Sequence, residues 1–495
     1  MPDWSGYHKF RKFSRRDFPS PAASFTSGTM LSLTRPVSTL ARLARAAAIS
    51  SLGAAVALAG SLPARAQGVP IVRDAEIEAL VRDYAQPIFK AAGLSSAGIR
   101  IVLVNDPSFN AFVAGRRLFI NTGALMQAET PNEIIGVIAH ECGHIAGGHE
   151  QKLREQLEHV KTMAIVAGLL GAGAVVAGAT TGSRGLGQAG MGLAAGGGEF
   201  AQRVLLNYQR GEEITADRSA ITYLNATGQS GEGMLKTFRR FQSALSLSGA
   251  QIDPYRISHP MPQDRISNLQ TLVEASPYRD RTDPAALQQR HDMMRAKIAI
   301  YTQGQAAMSR LLRKSSDQLA IKYGDAQATY LFGDLNSALR KVDALIKTQP
   351  KNPYFQELRG DVLMKANRPK EAAAAYARAV SLDPAKSGLL PVSYGQALMA
   401  VGSPDSLKKA VAELQLGLSR DKENGAAYRY LAQAYGQSGD VGKAELATAD
   451  GYFYSGDYKN ATIFAMRAQK ALKQGSPDWL RAQDIIGSAK PAKKK

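Results

Sequence analysis

Cysteine is nearly absent: Cys142 is the only one in 495 residues. No intramolecular disulfide can form, and a chain of this length needs none, because a large core stabilises a domain without a staple. Cysteine usage therefore leaves the compartment open. Acidic side chains are also in short supply, 42 against 61 Lys and Arg, for a formal charge of +19. Such an excess raises the question of nucleic-acid binding, but its distribution argues against it. Lys9, Arg11, Lys12, Arg15, Arg16, Arg35, Arg42 and Arg45 sit in an N-terminal leader, and a second group closes the chain over Lys490–Lys495. No basic motif with interleaved aromatics accompanies them. No nucleic-acid partner is expected, and peripheral contact with an anionic membrane surface fits the charge better. The 45% apolar and 21% charged composition is that of an ordinary globular protein, with room for about three domains at ~150 residues each.

A firm membrane span is lacking too. Ala46 to Leu62 is apolar but short for the ~20 residues a spanning helix needs. Arg35, Arg42 and Arg45 precede it and Ala64-Arg65-Ala66 follows, so the stretch from Met30 reads as a signal peptide cleaved near Ala66, with Met1 or Met30 as the start and Gln67 as the mature N-terminus. Ser14-Arg15-Arg16-Asp17-Phe18 looks like a twin-arginine signal, but Pro19 and Pro21 separate it from the apolar run, which makes the match accidental. Met163 to Ala179 is apolar and dense in Gly and Ala, and Gly-rich sequence continues to Gly198. Glycine lowers both hydrophobicity and helix stability. The stretch reads as a buried or loosely ordered helix and loop, with a membrane hairpin as the alternative.

What remains is strongly patterned. Ile77, Leu80, Val81, Tyr84, Ile88 and Phe89 recur at helical spacing behind Asp74, a helix cap. Ile99–Asn105 and Arg117–Asn121 read as strands, with Asn110, Ala111, Phe112 and Val113 between them and Gly115 at the turn. Helix follows over Glu133–Ile145, Phe200–Leu224 and Glu232–Leu247, and a turn-rich stretch carries Pro254, Pro260 and Pro262. In the last third Pro350 and Pro384 stand 34 positions apart, the period of a tetratricopeptide repeat. Gly333-Asp334, Gly439-Asp440 and Gly456-Asp457 mark turns between paired helices. Such units cannot cover their own apolar faces and must stack. The expected fold is α+β, mainly α. A leader (1–66) precedes a domain with a small sheet (67–275), a helical linker (276–315), an α-solenoid of repeats (316–475) and a basic tail (476–495).

The chemistry is concentrated in Ile138-Ala139-His140-Glu141-Cys142-Gly143-His144. Positions i and i+4 of a helix share a face, so His140 and His144 present two imidazoles to one ion, and Glu141 lies one step round as a general base. Zinc suits such a donor set when a carboxylate completes it. Ile134, Ile135, Val137 and Ile138 make the helix a buried one, where unengaged His and Glu side chains would be costly. Cys142 faces away from the pair and is read as packing. The third ligand is less plain. Position 150, where one metalloprotease class carries a histidine, holds Glu150, while His149 misses that place by one step and remains a minor candidate. Gly211-Glu212-Glu213-Ile214-Thr215-Ala216-Asp217 offers Glu212 or Glu213 as ligand, with Asp217 on the same helical face as Glu213 to buttress a ligand histidine.

An HExxH run followed by a downstream ExxAD resembles the gluzincin metallopeptidases of the CAAX prenyl protease and HtpX. Asn110-Ala111-Phe112, Asn121-Thr122-Gly123 and Ser258-His259-Pro260 with Arg265 are further points of similarity. The resemblance implies one Zn2+ per chain on His140, His144 and Glu213, with Asp217 behind a ligand histidine and Glu141 as catalytic base. It also implies that His259 lies beside the metal. His259 or Arg265 is then a candidate for stabilising the oxyanion, and Asn110–Val113 for binding substrate as an added strand. Within the family the chain is most similar to members joining a signal peptide to C-terminal repeats. That similarity implies a periplasmic endopeptidase acting on misfolded or stalled outer-membrane proteins, its repeats recruiting clients or the outer-membrane assembly machinery. The alternative is a chaperone or adaptor whose protease site is held silent by His259.

Overall fold

The computed structural model describes residues 70–94, 98–159, 162, 208–247, 259, 263–313, 315 and 317–488. The signal-peptide stretch, the Gly-rich 163–198 segment, most of the Pro-rich turn and the end of the basic tail lie outside these residues.

Helix α1 (Ala75–Ala91) starts where Asp74 accepts hydrogen bonds from the backbone N–H groups of Glu76 and Ile77, both at 3.1 Å. This satisfies two of the donors a helix start leaves unpaired. Its stripe of Ile77, Leu80, Val81, Tyr84, Ile88 and Phe89 is buried. The sheet has four strands, β1 (Ile71–Val72), β2 (Arg100–Val104), β3 (Ala111–Ala114) and β4 (Arg117–Asn121), in the order β1-β2-β4-β3. β2 runs parallel to β4 with Leu103 opposite Ile120. β3 pairs antiparallel with β4, and Phe112 stacks on Phe119 with ring centroids 4.8 Å apart. β3 is thus an edge strand, and it lies beside the helix that carries the histidines.

After α2 (Thr122–Gln127) comes α3 (Pro131–Gly147), whose residues 131–143 are all buried. Two of the following helices are given by number, α4 (149–159) and α5 (208–226). α6 (Glu232–Leu247) and α7 (Gln263–Glu274) then complete a core in which Ile134, Ile138, Leu224, Phe238 and Leu269 meet α1 and the sheet. Helix α8 (Ala285–Gln303), expected as a linker, is part of that core: Met294 and Ile298 belong to it, and Met293 belongs to the core of the repeats. α9 (Gln305–Leu312) leads into ten antiparallel helices, α10 (Gln318–Phe332), α11 (Leu335–Thr348), α12 (Pro353–Lys365), α13 (Pro369–Leu382), α14 (Leu389–Val401), α15 (Pro404–Arg420), α16 (Gly425–Gln437), α17 (Val441–Tyr454), α18 (Tyr458–Ala471) and α19 (Pro477–Ser488). The Gly-Asp pairs explain their turns. Asp334, Asp440 and Asp457 cap α11, α17 and α18 through the N–H groups of Ser337, Lys443 and Asn460, while Gly439 and Gly456 take left-handed φ of 79° and 83°. The expected class, α+β and mainly α, is the one found, with α19 sealed onto the solenoid by Ala482 and Ile485 inside the stretch expected as a tail.

Residues from Ile71 onward cluster as one unit, and the reason is a buried polar joint. Lys297 on α8 reaches Asp74 at 2.8 Å and Glu76 at 2.9 Å, and the Tyr323 hydroxyl of α10 donates to the same Glu76 oxygen at 2.6 Å. Ala75 and Ala79 of α1 pack on Tyr354, Ala379 and Leu390 of the solenoid. Arg73 and Arg100 both pair with Asp421, at 2.6 and 2.9 Å. A hydrogen bond to a buried charged group contributes about 1.5–3 kcal/mol, and Tyr323 supplies one from the solenoid while Tyr354, Ala379 and Leu390 cover α1, so the repeats are not a detachable module. Truncation after residue 315 removes Tyr323 and uncovers α1. The shortened protein is expected to lose cooperative thermal unfolding by circular dichroism. A truncated chain melting at the full-length temperature would contradict this joint.

His291 adds a pH dependence. It is fully buried, with Nε2 donating to the Ala128 carbonyl at 2.9 Å and Nδ1 accepting from the Tyr84 hydroxyl at 2.9 Å. Burial pushes its pKa from 6.5 down to about 3. The unfolded chain therefore takes up a proton below pH 6.5 that the native state refuses, and stability complete above that pH is lost on acidification. Between pH 7.5 and 5.5 the wild type should lose about 1.4 kcal/mol more than His291→Gln in urea unfolding. Equal losses would show that His291 does not titrate on unfolding.

Candidate metal centre

His140 and His144 lie one turn apart on α3, and their Nε2 atoms come within 3.0 Å of each other. Glu213 on α5 reaches both, with Oε2 3.4 Å from His140 Nε2 and Oε1 3.3 Å from His144 Nε2. His259 joins from the Pro-rich turn, its Nδ1 3.3 Å from His140 Nε2 and 3.1 Å from Glu213 Oε1. One donor atom from each of the four lies within 4.8 Å of the rest. Tight helix packing brings them together. A Cβ on Gly143 would stand 2.9 Å from the Cα of Ala216, so glycine in the first motif and alanine in the second let α5 approach α3.

Behind these atoms lies a layer of carboxylate and guanidinium. Asp217 Oδ1 sits 2.9 Å from His140 Nδ1. Arg265, 1% exposed, donates from Nε and Nη2 to the two Asp217 oxygens at 2.8 Å and contacts Glu213 Oε2 with Nη1 at 2.8 Å. Its guanidinium also lies over the Phe238 ring, 5.1 Å from the centroid. The sequence reading offered Arg265 as an oxyanion donor. The structure engages it with the two carboxylates, where it orients Glu213 and balances buried negative charge. His149 and Glu212, the two minor candidates for ligand, are outside the four-atom cluster and contact each other.

The electrostatics follow from burial against pairing. Burial would raise the carboxyl of Glu213, yet hydrogen bonds from His140, His144 and His259 outweigh it and hold the group well below the usual range. Burial opposes charge on His140, but Asp217 and Glu213 prevail and push it up to about 10. Burial takes His144 the other way, down to about 4, against the bond from Glu213. Glu141 is fully buried, its oxygens make no hydrogen bond among the described residues, and Oε1 lies 3.3 Å from His259 Nε2. Burial raises its pKa above the ordinary glutamate value, with His259 and His140 pulling down. Cys142 is buried and its thiol is pushed up by burial, consistent with packing.

These residues fit a divalent cation. With Nδ1 of His140 at Asp217 and Nδ1 of His144 at His149, both Nε2 lone pairs face one place beside a carboxylate. Electron pairs held that close require a positive charge between them, and two nitrogens with one oxygen suit zinc. The expected substrate strand is also nearby. Ala111 to Val113 form edge strand β3, Ala111 is buried, and the Asn110 carbonyl accepts from Asn121 N–H at 2.9 Å. Asn110 Oδ1 is buried without a hydrogen-bond partner among the described residues.

Sequence reasoning missed β1 and the grip of Arg265 on Glu213 and Asp217. β1 is two residues long and carries no periodic signal. Arg265 sits among polar residues on a short helix, and only its spacing from His259 set it apart.

Fold and site together define a metallopeptidase, and residues 72–273 match peptidase family M48. Beyond that domain the chain is similar to the beta-barrel assembly-enhancing protease of Yersinia pestis, with 23% identity over 422 residues and 83% of each chain covered. It is likewise similar to the beta-barrel assembly-enhancing protease of Escherichia coli (strain K12), 20% identical over 419 residues and 82% of each chain. Among solved structures, a crystal structure of MamA aligns with 33% of this chain and 91% of its own, at 21% identity and a TM-score of 0.26.

Proposed function

We propose that the protein is a zinc-dependent endopeptidase of the periplasm that acts on misfolded or stalled outer-membrane proteins. One observation carries the enzymatic part: His140 Nε2, His144 Nε2 and the Glu213 carboxylate converge on one place, with the buried Glu141 carboxylate beside it. The names of the similar proteins support the client class. The leader, with Arg35, Arg42, Arg45 and Ala64-Arg65-Ala66, supports export. No described helix is long and apolar enough to cross a membrane, and the excess of Lys and Arg that remains beyond the leader suits peripheral contact with an anionic surface.

His140, His144 and Glu213 would hold the ion. Zinc, when bound, makes water a nucleophile near neutral pH and polarises the scissile carbonyl. Glu141 Oε takes the water proton and later delivers it to the leaving amine, and its raised pKa suits both tasks. Asp217 and Arg265 keep His140 and Glu213 in orientation. Substrate adds as a strand along β3, and its backbone N–H groups find acceptors there whatever its side chains. The solenoid presents the client or an assembly partner to the same unit.

A second reading rests on His259. Its Nδ1 stands with the ligand atoms and its Nε2 near Glu141, so it can act as a fourth donor that keeps the enzyme silent until a partner displaces it. Glu141→Gln is expected to retain one zinc per chain by elemental analysis while cleavage of casein falls about 10²–10⁴-fold. Undiminished cleavage by that variant would overturn the assignment of the base.

A further inference from the structure

The two histidines of the cluster are supported in different ways. His140 turns Nδ1 to a carboxylate, Asp217, at 2.9 Å. His144 turns Nδ1 to another imidazole: Nδ1 of His149 lies 2.9 Å away, and Nε2 of His149 contacts a carboxylate oxygen of Glu212. Glu212 directly precedes Glu213 on α5, so of two adjacent carboxylates one reaches the front of His144 directly and the other stands behind it on His149.

The backbone is shaped to place this second imidazole. On an uninterrupted helix, residue 149 would stand about 140° round from residue 144. Gly148 ends α3 in the left-handed region at φ 64°, and the break swings His149 back over the last turn. Gly147 makes room for the ring, because a Cβ there would lie 2.1 Å from His149 Nε2 and 2.4 Å from Cδ2. His149 is thereby held at 6% exposure.

One arrangement of protons suits both contacts, the imidazole pair and the approach of His149 to Glu212. If His144 offers an Nε2 lone pair to the cluster, its Nδ1 carries the proton and donates to Nδ1 of His149. His149 then carries its proton on Nε2, the nitrogen in contact with the Glu212 carboxylate. Negative charge on Glu212 is relayed through two imidazoles and raises the electron density at His144 Nε2. A carboxylate behind a ligand histidine does the same over one step.

We infer that His149 and Glu212 are a positioning relay for His144: they fix its ring and tautomer and strengthen its hold on the metal without ligating it. The inference rests on the reading of His140, His144 and Glu213 as zinc ligands. It assigns the tandem glycines after the HExxH run a purpose, and it accounts for both Glu212 and Glu213.

The test is the affinity of the full mature protein for Zn2+, measured by competition with a chromophoric chelator, beside the melting temperature of each metal-free variant. His149→Ala should weaken zinc about 10–100-fold. Glu212→Gln, a milder change at a half-buried position, should weaken it less. The double variant should bind no more weakly than His149→Ala alone, because Glu212 acts only through His149. His149→Gln keeps an acceptor and a donor and should recover part of the loss. Unchanged affinity in His149→Ala, with or without a fall in melting temperature, would overturn the relay and leave the zinc ligands standing. Independent, multiplicative losses from the two single changes would also overturn it. A wild type that binds no zinc would instead remove the ligand assignment, and the relay with it.

Discussion

The constraint on which the site depends is the approach of α5 to α3. At Gly143 and Ala216 the two helices meet almost backbone to backbone. This contact lets a carboxylate on one helix reach two imidazoles on the other, with about one turn of each helix involved. Any larger side chain at Gly143 would move Glu213 away from His140 and His144. Almost everything else serves that juxtaposition: the sheet and α1 bury α3, α6 and α7 cover it from the far side, and Arg265 neutralises the carboxylates that α5 brings in. The result is a group of lone pairs gathered in a dry place, which stays together only with positive charge among them.

The repeats are bound into the same unit by charge as well as by apolar contact. Lys297 is buried with Asp74, Glu76 and the Tyr323 hydroxyl, so the first turn of the protease domain, its last long helix and the first helix of the solenoid share one polar cluster. Asp421 and Glu423, at the turn between α15 and α16, meet Arg73, Arg100 and Arg117 on and beside the sheet. The solenoid is therefore held at a fixed place relative to the site. The joint also means that a change at the repeats is felt by α1, and through His291 by the loop that precedes α3.

Much of this was legible in the residues. Apolar spacing gave α1, α3 and the strands around Gly115, because each is a long or regular pattern facing one core. The Gly-Asp pairs announced the repeat turns for a physical reason: each aspartate caps the next helix, and at Gly439 and Gly456 the glycine takes the left-handed turn before it. The four residues His140, His144, Glu213 and His259 are brought together as the motif resemblance led one to expect. Relations between segments distant in the chain were not legible. Nothing in the spacing of Lys297, Tyr323 or Asp421 says that each will meet α1 or the sheet. His149 missed the expected ligand place by one step, and its spacing did not show that the break at Gly148 brings its ring to His144. Arg265 carried a family association but no local pattern, and only coordinates show its guanidinium spread over Asp217 and Glu213.

The most direct measurement is X-ray absorption at the zinc edge of the purified mature protein, compared with a Glu213→Ala variant. The account predicts a shell of nitrogen and oxygen scatterers at about 2.0–2.1 Å, with imidazole signatures and no sulfur, that loses an oxygen neighbour in the variant. A sulfur shell near 2.3 Å, or a spectrum untouched by the loss of Glu213, would contradict it.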